Sequence, residues 1–382
     1  MIPKGFTFSA ISSGIKTPAF TGLDLGLINC STLAVVSGVF TQNIVKAAPV
    51  IIGMDQARRG NARAVIANAG NANACTGQQG LDDAHLIMAA VASRLGVMAD
   101  EVIPMSTGTI GVMMPVDRIL PRIPQLVQGL SYDADCFARS IMTTDTFPKI
   151  VSKRAGEACV LGFAKGAGMI APNMATTLAV VLTDAMIDKH LLDNIIYSAI
   201  NETFNAITID GDMSTNDTLI ALASGLVHAD SDKLRHAMIE VIKKLALMIV
   251  RDGEGATKFV TIMVSGTNND NDAKTIAMAV ANSLLVKTAL YGADPNWGRI
   301  VAAVGYSGVP VRPERISVRI QGLKVVDDCV QAPDYAEEAL HHALDDKEIA
   351  IEISVGKGPG RFTAWTTDLS NRYVEINAQY RT

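Results

Sequence analysis

No stretch of the 382-residue sequence reaches the roughly 18 consecutive apolar residues that a membrane-crossing helix requires. The first ten residues, "MIPKGFTFSA", contain a lysine but no apolar run behind it, so no secretory leader is expected. Cysteine is scarce and scattered, at positions 30, 75, 136, 159 and 329. An odd, unclustered set argues against a disulfide framework or a paired-cysteine metal site, and for reduced thiols in the cytoplasm. Charge is also sparse: 19% of residues are charged, the net charge is −5, and no acidic or basic block stands out. Arg58, Arg59 and Arg63 come nearest to a basic patch, but no aromatic residue is interleaved for base stacking. Nucleic acid and membrane are therefore not expected partners.

Several catalytic signatures are missing too. There is no G-x-S-x-G elbow, no Walker-type phosphate loop, and no HExxH or Cys/His ligand spacing. His341 and His342 are adjacent on an expected helix, so their side chains diverge by roughly 100° and cannot share a metal. No metal is expected.

What the chain does have is apolar residues, 49% of the total, arranged with clear periods. Helical spacing marks residues 81–95, 189–204, 231–250, 272–285 and 334–344, with Asp188 and Ser231 placed to cap two of them. Short apolar runs ending in turn residues mark strands at 31–40, 61–70, 178–184 and 258–266. Alternation in "RISVRIQG", "IAIEISVG" and "RYVEINAQY" suggests half-exposed sheet near the C-terminus. The expectation is an α/β fold with layered sheets and helices, divided into a main domain over 1–285 and a smaller C-terminal domain over 286–382.

One stretch, "AKGAGMIAPNMATTLAVVLTDA" (164–185), admits several readings. Gly166-Ala-Gly168-Met-Ile-Ala171 matches the dinucleotide fingerprint, but that fingerprint needs a helix to open at the turn. Here Pro172 and a strand-like run follow, so the context fails. The Asp210, Asp212 and Asp217 trio in "DGDMSTND" lacks the glycine and glutamate of a calcium loop and reads as a hydrogen-bonded turn.

A turn leading into a buried strand accounts for 164–185, and so does a self-cleaving junction. A threonine hydroxyl is a poor nucleophile unless a base stands beside it. Breaking the Ala175–Thr176 bond would give Thr176 a free α-amine, whose ordinary pKa of about 7.7–8.0 suits it to accept the hydroxyl proton. Thr176 Oγ would attack the Ala175 carbonyl and form an ester that water then hydrolyses. Ala175 leaves that carbonyl open, and Gly166 and Gly168 permit tight backbone geometry.

A set of ordered blocks spans nearly the whole chain: "PKGF" with "SGIK", "NAGNANACTG", "STGTIG", "TTDTFPK", "KGAGMIAPNMAT", "FNAITIDGDMSTND", "VRDGEGATKF", "LVKTALYGADPNWGRI" and "YVEINAQYRT". With these blocks the sequence resembles the ornithine acetyltransferase (glutamate N-acetyltransferase) family of arginine biosynthesis. The resemblance implies an α-β-β-α sandwich with a smaller C-terminal α/β domain. It implies autoproteolysis into chains 1–175 and 176–382 and a cytoplasmic heterotetramer of two such pairs. The implied reaction is ping-pong transfer of acetyl from N2-acetylornithine to glutamate, releasing ornithine and N-acetylglutamate. No cofactor is implied, and acetyl-CoA stays open as a second acetyl donor.

By the same resemblance Thr176 is the nucleophile, and Thr107 and Gly108 form the oxyanion hole. Thr143, Lys165, Thr176, Glu254, Asn377 and Thr382 contact substrate. These residue types suit zwitterionic amino acids, which need a cation, an anion and neutral hydrogen-bonding groups together. Lys165 is expected to face a carboxylate and Glu254 an amine. Three departures stand out. Thr177 replaces a large apolar residue, "NAGNAN" replaces a serine-containing form, and "AWTTDLS" lacks a cysteine. Two alternatives follow from the same residues: a self-processed amidase or aminopeptidase in which water resolves the acyl-enzyme, and an unprocessed amino-acid-binding protein.

Overall fold

The computed structural model describes residues 1–171 and 177–379, and the chain forms two compact units. Of the described residues, unit 1 holds 1–171, 177–205 and 212–249, and unit 2 holds 206–211 and 250–379. Both are mixed α/β. No single helix among the described residues is long and apolar enough to cross a membrane.

Unit 1 is built on one eight-stranded sheet. Its strands are β1 (Phe6–Ile11), β2 (Leu25–Phe40), β3 (Asn61–Asn71), β4 (Val102–Thr109), β5 (Lys149–Ala155), β6 (Ala158–Lys165), β7 (Leu178–Ala185) and β8 (Thr218–Val227). The order is β4-β3-β2-β8-β7-β6-β5, with β1 added on β2. The β3–β4 and β7–β8 pairs are parallel.

β2 is long enough to serve two sets of partners. Its first half pairs with β1 and its second with β8, and its ladder to β3 slips between Asn29 and Ala34. Such an irregularity bends and twists a strand. The sheet folds over on itself, so β4 lies against β7 although three strands separate them in sheet order.

The alternation of side chains along the strands explains the layers. Val65 and Ala67 of β3 and Leu161 and Phe163 of β6 share one apolar core with Phe137 of the helix Ala134–Ser140. The Phe137 and Phe163 rings meet edge to face at 5.2 Å. Ala64 and Ile66 of β3 point the other way, onto Ile87, Met88 and Val91 of the helix Gly77–Leu95. Gly162 of β6 points away from the shared core, onto the helix Ser231–Arg251. A Cβ there would fall 2.6 Å from Val241 Cγ1 and 2.7 Å from Leu245 Cδ1, so any larger residue would force these side chains of the helix to shift. The result is a helix, strand, strand, helix sandwich. Asp230, not Ser231, caps the last helix, accepting from Lys233 N at 2.9 Å, while Asp188 accepts from Leu191 N at 2.8 Å as expected.

Unit 2 carries a six-stranded sheet in the order β12-β11-β10-β13-β9-β14. The strands are β9 (Phe259–Gly266), β10 (Ser317–Ile320), β11 (Leu323–Asp327), β12 (Val330–Gln331), β13 (Glu348–Ser354) and β14 (Gly358–Thr367). Val260, Ile262 and Val264 pack on Ile276 and Val280 of the helix Asp270–Ala281 and on Val286 and Leu290 of the helix Leu284–Tyr291. The expected boundary at 285/286 therefore falls inside unit 2. β9 pairs with β13 and β14, which come from the far side of that boundary, and the sheet cannot be divided there.

Two further corrections belong here. Ser283 caps a new helix, accepting from Val286 N at 3.3 Å, so the expected helix 272–285 is broken. Residues 372–379 of "RYVEINAQY" belong to the helix Asn371–Gln379 rather than to a strand. The helix starts behind Ser370, whose Oγ accepts from Tyr373 N.

Candidate active site

The expected site residues of unit 1 gather where strand ends meet. Lys165 closes β6 and lies opposite Leu178, which opens β7, and Leu178 lies opposite Thr218, which opens β8. Thr218 N donates to Thr177 O at 2.8 Å, so the buried Thr177 is pinned beside β8.

Lys165 is half-buried, and its Nζ donates to Thr143 Oγ1 at 3.3 Å. Below them sits Asp145. Its carboxylate accepts from Thr143 N at 2.9 Å, from Gly166 N at 2.7 Å and from Lys149 Nζ at 2.6 Å. The Asp145 and Lys149 side chains are fully buried. Burial alone would raise the pKa of Asp145. The charges of Lys149 and Lys165 and the Gly166 N–H outweigh it and hold the carboxyl below its usual range. Asp145 thus ties the 143 turn to the end of β6 as a fixed anion.

Thr107 and Gly108 lie near the end of β4. Gly108 has φ +132°, and a Cβ there would come within 2.3 Å of the Gly70 carbonyl carbon. Only glycine fits where β3 and β4 cross this closely. The asparagines of "NAGNAN" brace the crossing: Ser106 Oγ donates to Asn68 Oδ1 at 2.6 Å, and Asn68 Nδ2 donates to Asn71 O at 2.9 Å. From the other side, Asn216 Nδ2 donates to Ala72 O at 2.6 Å and to Ser106 O at 2.8 Å. This side chain joins the entry to β8 directly to the strand that carries Thr107.

Next in sequence is Asp217, 2% exposed, whose Oδ2 has no hydrogen-bond partner among the described residues. Burial pushes its carboxyl well above the usual range, although the Lys165 charge and the N–H and O–H of Ser214 pull the other way. Asn216 and Asp217 were legible only as part of a hydrogen-bonded turn. Their signal was an amide and a carboxylate placed immediately before an apolar strand.

In unit 2 the structure brings Glu254 and Asn377 together, Asn377 Nδ2 donating to Glu254 Oε2 at 2.8 Å. The helix Asn371–Gln379 presents Asn377, and Tyr373 OH of that helix donates to Asp210 Oδ2 at 3.2 Å. Ala175, Thr176 and Thr382 lie outside the described residues. Among the described residues no group of three or more His, Cys, Asp and Glu side chains forms a metal site.

The ArgJ family profile matches residues 7–382. The chain belongs to the ArgJ family. A Geobacter sulfurreducens relative named arginine biosynthesis bifunctional protein ArgJ is 49% identical, the match covering 99% of each chain. Relatives of the same name from Caldanaerobacter subterraneus and Thermotoga neapolitana are 43% and 40% identical, with 100% of this chain matched and 98% and 100% of theirs. Among solved structures, the Bacillus halodurans arginine biosynthesis bifunctional protein argJ is 40% identical with a TM-score of 0.49, covering 52% of this chain and 96% of that one. The Mycobacterium tuberculosis ornithine acetyltransferase complexed with ornithine is 38% identical with a TM-score of 0.40, covering 45% and 94%. This ArgJ-family chain is an enzyme, an acyltransferase of arginine biosynthesis.

Proposed function

We propose that the enzyme transfers acetyl from N2-acetylornithine to glutamate through an acetyl-Thr176 intermediate, after cutting its own 175–176 bond. The observation that carries this reading is the meeting of Lys165 and the Thr143 hydroxyl one strand away from Thr177, with Asn216 linking the same strand ends to Ser106-Thr107-Gly108. In the first half-reaction the Thr176 amine takes the hydroxyl proton and Oγ attacks the acetyl carbonyl. Thr107 Oγ1 and the Gly108 N–H stabilise the oxyanion. The C–N bond to ornithine breaks, the amine leaves with the proton, and acetyl stays on Oγ as an ester. In the second half-reaction the glutamate amine attacks that ester, and the proton returns to Oγ. One site serves both amino acids in turn because the hard step is split in two.

Lys165 holds a substrate carboxylate and Glu254 an amine, with Thr143, Asn377 and Thr382 supplying neutral or terminal contacts. Glutamate must outcompete water, so the occupied site excludes solvent. Two processed pairs assemble as a cytoplasmic heterotetramer. Acetyl-CoA stays open as a second donor and is tested by incubating it with glutamate alone.

The test is acetyl transfer from N2-acetylornithine measured with and without glutamate. N-acetylglutamate should form only with glutamate present, and Thr176→Ala should yield one uncut, inactive chain. Acetate released at the same rate without glutamate would replace this reading with a hydrolase.

A further inference from the structure

We propose that a cavity in unit 2 binds a small phosphate-bearing molecule through Arg312, Arg315 and Lys357. The cavity measures about 400 Å³ and lies between the end of β9, the β13–β14 turn and the segment 309–315. This is within the size range of small-molecule sites. It involves residues of unit 2 only and does not depend on the acetyl-transfer reading.

The charge arrangement is the first argument. Arg312, Arg315 and Lys357 line one concavity, and none of them makes an ion pair or a side-chain hydrogen bond among the described residues. Exposed arginines without an ion pair also occur elsewhere among the described residues, Arg94 and Arg154 among them, so what marks this site is the gathering of three cations in one concavity. The one carboxylate lining the cavity, Asp272, forms no ion pair with any of the three and offsets only one of their charges. Three cations against one carboxylate leave an excess of positive charge that focuses a positive field in the concavity. An anion with several charges offsets that excess. A single carboxylate would leave part of it.

Geometry favours phosphate. Two guanidinium groups offer paired donors matched to phosphate oxygens, and the lysine adds a point charge. The Arg315 N–H donates to Arg312 O at 3.0 Å, so both arginines belong to one tight turn. The floor is fixed by the sheet: Val355 N donates to Ser265 O and Gly360 N to Thr267 O, both at 3.0 Å. Val309, Val311 and Val355 form an apolar wall against which the body of a ligand can pack. No aromatic residue lines the cavity for stacking an extended nucleic acid. The chemistry fits a discrete phosphorylated molecule.

The test uses the full processed enzyme, with ADP as probe and adenosine as the phosphate-free control. In low-salt calorimetry ADP should bind saturably, and the Arg312→Ser/Arg315→Ser double variant should bind it at least about tenfold more weakly. These side chains are exposed, so the variant should retain the parent's thermal midpoint and acetyl-transfer rate, which separates a lost site from a lost fold. Three results would overturn the proposal: no saturable ADP binding, equal ADP affinity in parent and double variant, or adenosine binding as tightly as ADP.

Discussion

Asn216→Ala should weaken both the fold and the reaction. Asn216 is 5% exposed, and its amide nitrogen is shared by two main-chain oxygens, Ala72 O at 2.6 Å and Ser106 O at 2.8 Å. Alanine leaves both carbonyls buried without this donor. An unsatisfied buried acceptor costs about 1–3 kcal/mol, so the pair amounts to roughly 2–6 kcal/mol. The Thr215 hydroxyl, which donates to Asn216 Oδ1 at 2.6 Å, loses its acceptor as well. Ser106 directly precedes Thr107 and Gly108, so the strand end that carries the proposed oxyanion donors loses its brace. Displacement of such donors by an ångström costs on the order of a hundredfold in rate. Urea unfolding of the purified variant gives the first quantity, and kcat for acetyl transfer, compared with KM, gives the second. The kcat loss should exceed any change in KM, because the brace acts on the transition-state oxygen. A variant within about 1 kcal/mol of the parent would refute the stability argument. Full stability loss with unchanged kcat would refute the link to the oxyanion strand.

Two further predictions follow from buried ionisable groups. Burial pushes the Lys287 ammonium down to about 8, with Asp368 and Asp210 opposing the shift. Between about pH 8 and 10.5 the unfolded chain binds a proton that the native chain does not, so this group's contribution to stability rises with pH through that window. Relative to Lys287→Met, the parent should gain roughly 2–4 kcal/mol across it in urea titrations, and parallel pH profiles would contradict the assignment. For Asp217 the sign is reversed. Burial raises its carboxyl, so its contribution is fully present below the ordinary carboxylate range and is lost as pH climbs towards the raised value. Asp217→Asn should therefore gain stability over the parent progressively from pH 4 upward, and a constant difference across pH would count against a buried, neutral carboxyl.

Much of the architecture was readable because period and burial agree. The runs at 61–70 and 178–184 are strands β3 and β7, buried on both faces as their continuous apolar character implied. The errors share a cause, which is that local pattern does not say what lies opposite. "RYVEINAQY" alternates like an edge strand, yet among the described residues no strand takes it as a partner, and residues 372–379 lie in an exposed helix held through Tyr373 and Asn377. The boundary at 285 followed a change in composition, whereas the unit is defined by the pairing of β9 with β13 and β14. Asp145 was hidden in a block noted for its threonines. Its four-residue spacing to Lys149 on a non-helical turn gave no sign that both side chains would be fully buried together.

The central claim is that Thr176 becomes an N-terminus. Intact-mass analysis of the purified protein, with N-terminal sequencing of each species, tests it most directly. The account predicts two chains, residues 1–175 and 176–382, the second beginning at Thr176, and loss of the cut in Thr176→Ala. A single intact 382-residue chain that transfers acetyl from N2-acetylornithine to glutamate would contradict it.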